Sequence, residues 1–293
     1  MKQKMDIKKF AAGLAAGVLL FAATVSLVSC RAILSDLESS DTADKTDTHI
    51  DSTDSSTVTS PPLTSDYGGV TPEDRDDGKT VICLDAGHGF GDVGCEFPDG
   101  TYEKDVTLEI TGRLKKCLED RGAVVLLTHD GITFPSSDEI MRSADQMGIK
   151  YKVDKIENND IFSAYERSLW LNVMDVAEHV DLFVSIHVNS IENHPEISGF
   201  SIDYYENNPS VGFLVALCGD VGAMLEDEFS REVRIFADNY EDAYIVNKYT
   251  DAPSILIETG YATNKSDAAN LKDKNWQQNF AENLADVLMD HLK

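Results

Sequence analysis

VICLDAGHG (residues 81–89), DLFVSIHVN (181–189) and SILIETG (254–260) lie far apart in the chain, yet each is an apolar run with a residue fit to hold a metal or move a proton. Val, Ile and Leu dominate the runs, as in buried β-strands. They stop at His88, His187 and Glu258. Open α/β sheets gather ligands at the carboxyl ends of their parallel strands, so these three residues are expected to converge on one crevice. Glu103, at the expected start of a helix after the first run, is a fourth candidate. Two histidines, one carboxylate ligand and a further carboxylate for proton handling are the parts of a hydrolytic zinc site.

Outward from these runs, short apolar stretches alternate with amphipathic ones. That pattern predicts one α/β domain over residues 79–293, a mostly parallel sheet flanked by helices. Val106, Ile110, Leu114, Cys117 and Leu118 share one face of a helix over 103–121, with Gly122 as its stop. AVVLLT (123–128), GFSIDYY (199–205) and REVRIFA (231–237) read as strands, and further helices are expected over 162–178, 211–228 and 275–292. The Gly- and Asp-punctuated stretch 131–160 reads as a surface insertion beside a substrate groove.

The N-terminal segment sets the compartment. Lys2, Lys4, Lys8 and Lys9 precede an uncharged apolar stretch from Phe10 to Val28. That order is expected of a secretory signal peptide over residues 1–29. Leu27-Val28-Ser29-Cys30 resembles the lipobox of bacterial lipoproteins, which implies cleavage before Cys30 and lipidation of its sulfur. An uncleaved anchor is the alternative, since about 19 apolar residues nearly span a bilayer. Either way the remainder is expected outside the cytoplasm, held to the bacterial cell membrane. Residues 30–78, rich in Ser, Thr and Asp, cannot bury enough apolar surface to fold and are expected to form a tether. A flexible coil of that length holds its ends roughly 35–40 Å apart.

The net charge is −27, which argues against nucleic acid as a partner, because phosphate binding needs Lys and Arg. Besides Cys30 the chain has Cys83, Cys95, Cys117 and Cys218, without a C-x-x-C pair or the dense spacing of a disulfide-stapled domain. Cys83 and Cys117 fit core positions; the sequence leaves the disulfide state of all four open.

His88 sits in a glycine-rich turn that allows close backbone approach to a ligand. The turn lacks the Lys-Ser/Thr pair of a phosphate-binding P-loop. Glu258 closes an apolar run, where a carboxylate is costly unless it is paired or near a metal. Glu103 alone could be an ordinary first-turn acid favouring the helix dipole. His129 follows the second strand and is expected at the rim of the crevice, and Asn189 and Arg167 are further candidates for the substrate groove.

LDAGHGFGDVGC, YEKDVTLEI, YERSLWLN, DLFVSIHVNS, SGFSIDYY and APSILIETGYATN, in this order, resemble the motifs of zinc-dependent N-acetylmuramoyl-L-alanine amidases. The resemblance runs from about residue 80 to 293. It implies a twisted sheet flanked by helices, one zinc held by His88, Glu103 and His187, and catalysis by Glu258. The implied reaction is hydrolysis, by zinc-activated water, of the amide joining N-acetylmuramic acid to L-alanine in peptidoglycan. Thr128-His129 departs from the family's Thr-Arg. Two other classes fit the residues: a catalytically silent wall-binding lipoprotein, and another zinc peptidase acting on stem peptides. Whether a protein activator is needed, and the oligomeric state, are not legible.

Overall fold

The computed structural model describes residues 78–156 and 161–292. Cys30 and the segments expected as signal peptide and tether lie outside the described residues, except for Gly78. Six strands form one sheet: β1 (Val81–Ala86), β2 (Val124–Leu127), β3 (Leu182–Asn189), β4 (Phe200–Tyr205), β5 (Val233–Asp238) and β6 (Ser254–Tyr261). Their order is β2-β1-β3-β6-β4-β5. β1 pairs in parallel with β2 and β3, β3 with β6, and β4 with β5; β4 and β6 are antiparallel. Residues 190–199 link β3 to β4 without a helix. A parallel crossover needs a dozen or more residues, so β4 returns in the opposite direction, and β6 later fills the gap beside β3.

Helices cover both faces. On one side lie α1 (Glu103–Asp120), α4 (Val211–Phe229), α6 (Lys265–Lys272) and α7 (Lys274–His291), packed on Ile82, Leu84, Val184, Ile186, Ile255 and Ile257. On the other lie α3 (Ala164–Glu178) and the short α5 (Ile245–Lys248), whose Leu171 and Val246 meet Val81, Cys83, Phe183 and Leu256. Side chains alternate faces along a strand. His187 therefore shares a face with Phe183, and Glu258 with Leu256. Both point to the α3/α5 side.

The expected elements are present with small boundary shifts, and three α-helices and a short 3-10 helix (Val153–Lys155) are additional. The stretch 131–160 contains α2 (Ser137–Met147), capped by Ser136 and closed by Gly148 in the left-handed conformation. Ile140 and Ala144 of α2 pack on Phe162, Tyr165 and Leu169, so this stretch has its own apolar cluster. α5 and α6 were not expected. β3 and β6 also run past the residues at which the apolar runs end, so His187 and Glu258 lie within strands. Cys83, Cys95, Cys117 and Cys218 are all unpaired thiols.

Candidate metal centre

The turn after β1 is anchored where Gly87 N donates to Ile186 O at 2.8 Å. His88 and Phe90 have φ of 66° and 54°, a left-handed conformation that costs free energy for side chains with a Cβ. Two backbone hydrogen bonds between Gly89 and Asp92 close the turn. Asp92 Oδ2 lies 2.8 Å from His88 Nδ1, while Oδ1 accepts from Gly94 N. The ring is thereby oriented with Nε2 inward, as a carboxylate behind a metal-ligating histidine orients it.

Glu103 opens α1 and is buried. Its Oε1 lies 3.2 Å from His88 Nε2 and 3.2 Å from His187 Nδ1, and accepts from Val188 N at 2.9 Å. Its Oε2 accepts from Cys95 N at 2.9 Å. One carboxylate oxygen thus meets a nitrogen of each histidine, and the three donor atoms lie within 4.8 Å of one another. A Cβ on Gly87 would meet the His187 ring at 2.5–2.7 Å, and one on Gly94 would lie 2.6 Å from Glu103 Oε2. Glycine at these two positions is what lets the donors approach the backbone. The donor set, two imidazole nitrogens and a carboxylate oxygen, fits a zinc ion with three protein ligands.

The electrostatics agree. Burial raises the Glu103 carboxyl, but the imidazoles of His187 and His88 prevail and hold it far below the usual range. Burial lowers His88, yet Asp92 and Glu103 outweigh it and push it up to about 9. The pocket therefore favours positive charge.

Glu258 stands directly across from His187 in the β3–β6 pairing, and the register shifts between His187 and Asn189. Such irregularities re-aim side chains beside functional sites. Glu258 Oε1 accepts from the Tyr244 hydroxyl at 3.3 Å; its buried Oε2 has no hydrogen-bond partner among the described residues. Burial, then the carboxylates of Glu103 and Asp203, push Glu258 well above the usual carboxylate range. Asp203, buried beside Glu258's strand, is itself pushed up to about 8 by burial and by Asp238.

The four expected site residues are thus brought together. The groove candidates fare differently. Asn189 ends β3, half-buried. His129 is buried; its Nε2–H donates to Ala86 O at 2.9 Å and its Nδ1 accepts from Gly131 N. Arg167 is buried and lies 3.1 Å from Asp85, whose carboxylate also accepts from Thr128 and Ser185. His129 and Arg167 therefore brace the floor beneath the turn and do not line a groove, contrary to expectation. Asp92 and Tyr244 were missed. Asp92 follows His88 by four residues, a usable signal; Tyr244 comes from a loop with no motif.

Two imidazoles and a carboxylate that could hold a metal, with a second buried carboxylate beside them, are the parts of a metal-assisted hydrolase. The chain belongs to the N-acetylmuramoyl-L-alanine amidase family (Amidase_3), whose sequence profile matches residues 82–290. It is similar to the uncharacterized protein YqiI of Bacillus subtilis, 29% identical over 70% of this chain and 81% of that protein. The amidase LytC of B. subtilis is 27% identical over 74% of this chain, which spans 36% of LytC. Among solved structures, the CwlD amidase of Clostridioides difficile in complex with the GerS lipoprotein aligns with TM-score 0.55 and 25% identity, over 73% of this chain and 98% of that one.

Proposed function

We propose that the protein is a zinc-dependent peptidoglycan hydrolase that cleaves the amide between N-acetylmuramic acid and L-alanine, with His88, Glu103 and His187 holding one zinc. The observation that carries this reading is Glu103 Oε1, 3.2 Å from a nitrogen of each histidine. Bound there, the metal supplies a Lewis acid for a water and for the amide carbonyl. Two backbone N–H donors, from Cys95 and Val188, hold the Glu103 carboxylate in place, and in the metal-free protein the two imidazoles keep it ionised. Asp92 keeps His88 in orientation. Glu258 accepts the water's proton and passes it to the departing amine. The Tyr244 hydroxyl fixes one oxygen of that carboxylate and leaves Oε2 free to exchange protons.

Mass spectrometry of digested muropeptides tests the bond specificity. The expected products are free stem peptides beginning at L-alanine and glycan strands bearing free lactyl carboxylates. Cleavage inside the stem peptides alone would make this a zinc peptidase, and no cleavage would leave a silent wall-binding protein.

The reading extends to location. The basic start, apolar run and Leu-Val-Ser-Cys sequence support a lipoprotein held to the cell membrane through Cys30, with residues 30–78 as its tether. Two acyl chains anchor firmly where one is marginal. Cys30→Ala is expected to abolish labelling by a fatty-acid analogue; equal labelling of variant and parent would exclude Cys30 as the attachment point. A relative, CwlD, has been solved in complex with the GerS lipoprotein. A protein partner is accordingly part of the reading, testable by co-purification from membranes.

A further inference from the structure

Several lysine ammonium groups of the described residues pair with carboxylates: Lys115 with Glu119, Lys116 with Asp120 and Lys272 with Asp99. Lys152, Lys155 and Lys248 do not, although the chain carries 52 acidic residues against 25 basic ones. Their ammonium groups lie 5.1, 5.6 and 5.8 Å from the centroid of a single ring, Tyr249. Lys248 also sits 3.5 Å over the Tyr240 ring, and Lys152 donates to the Tyr249 hydroxyl at 3.4 Å. None forms an ion pair among the described residues. Aromatic faces attract cations through their quadrupole but carry no net charge, so the cluster remains positive.

The Tyr249 ring at the centre of the cluster is held in place. The Tyr165 hydroxyl accepts from Lys152 N at 2.6 Å, and the Tyr165 ring meets that of Tyr249 edge-on at 5.1 Å. Asn172 of α3 pins the chain on both sides of residue 250, donating to Tyr249 O at 2.8 Å and accepting from Asp251 N at 3.0 Å. Its position relative to the chemistry follows from α5. Tyr244, which touches Glu258, caps that helix, and Lys248 is its last residue. One helical turn, about 5.4 Å of rise, separates the two along the helix.

We propose that Lys152, Lys155 and Lys248, arrayed on Tyr249, form an anion subsite beside the catalytic crevice that takes carboxylate groups of the stem peptide being released. The assignment rests on the amidase reading for the identity of the peptide. A stem peptide carries several carboxylates on a short chain, whereas before cleavage the glycan's lactyl carboxyl is tied up in the amide and its hydroxyls are neutral. Three cations clustered on one ring suit the former. Phosphate groups of an anionic wall polymer share the chemistry and form the second arm of the test.

The full chain loaded with zinc is compared with Lys152→Gln, Lys155→Gln, Lys248→Gln and the triple variant. Binding of a synthetic stem peptide with free carboxylates, and of the same peptide with carboxamides, is measured by calorimetry and needs no turnover. The parent is expected to bind the acid roughly 10-fold or more tightly than the amide. Each single change should cost roughly 2–5-fold, the size of an exposed ionic contact. The triple variant should lose the preference, and its loss in hydrolysis of an N-acetylmuramoyl peptide should fall on KM rather than kcat. Lys116→Gln, on the opposite side of the sheet, removes the same charge and should keep the preference. Equal binding of acid and amide by the parent, or a preference retained in the triple variant, would overturn the subsite. So would loss of poly(glycerol phosphate) binding in the triple variant with peptide preference unchanged. A parent that prefers the acid yet hydrolyses nothing would sink the amidase reading and leave the subsite standing.

Discussion

His187→Ala is expected to leave a folded domain that no longer retains about one zinc per chain and hydrolyses peptidoglycan roughly 10³-fold or more slowly. His88→Ala should behave alike. A site with three protein ligands has no spare donor, and removing one leaves Glu103 facing a single imidazole. The two changes differ in their side effects. The His187 ring fills the space against Gly87, so its loss opens a void under the turn, whereas His88 is partly exposed. His187→Ala should therefore also lower the melting temperature more. Chelation of the parent should reproduce the loss of activity, and added zinc should restore the parent but neither variant. Metal content by mass spectrometry and circular dichroism on the same samples separate lost metal from lost fold. Full activity in a metal-free preparation would end the zinc mechanism.

β1, β3 and β6 were legible because both of their faces are buried, which gives continuous apolar runs. That His187 and Glu258 share one face was not legible in the runs themselves; it follows from the β3–β6 register, which sets the two residues directly opposite each other. The start of α1 at Glu103 was legible from its apolar face. α2 was missed because only Ile140 and Ala144 of its residues are buried, so its apolar stripe is narrow and its polar residues read as loop. α5 is one turn long and too short to show a period. His129 illustrates a different limit. Following a strand places a residue near the crevice but does not say whether it faces in or down. The hydrogen bonds to Ala86 and Gly131 decide that, and neither partner is readable from spacing. Arg167 was likewise invisible as the partner of Asp85, since an ion pair spanning β1 and α3 leaves no local pattern.

Glu258→Gln should separate binding from chemistry. Glu258 is not among the donors that meet at Glu103 Oε1, so the variant should keep zinc at nearly parental stoichiometry. The amide is close in shape, and its oxygen can still accept from Tyr244. Peptidoglycan binding should survive, while turnover falls by roughly 10²–10⁴-fold, the range of a lost general acid–base. Stability gives a second readout. Burial and the neighbouring carboxylates raise Glu258 in the fold above its ordinary value of 4.5. A group raised in this way contributes stability below its unfolded pKa and loses it as pH rises toward the folded value. Metal-free parent protein should therefore lose stability through this group as pH climbs above about 4.5, whereas the glutamine does not titrate. The melting-temperature difference between variant and parent should move in the variant's favour from pH 5 to pH 8. Zinc opposes the effect, because a nearby dication favours the carboxylate, so metal loading should narrow the difference. A variant that loses its zinc would make Glu258 a ligand and reopen the role of Glu103. One that keeps both zinc and activity would reduce Glu258 to a buried structural acid.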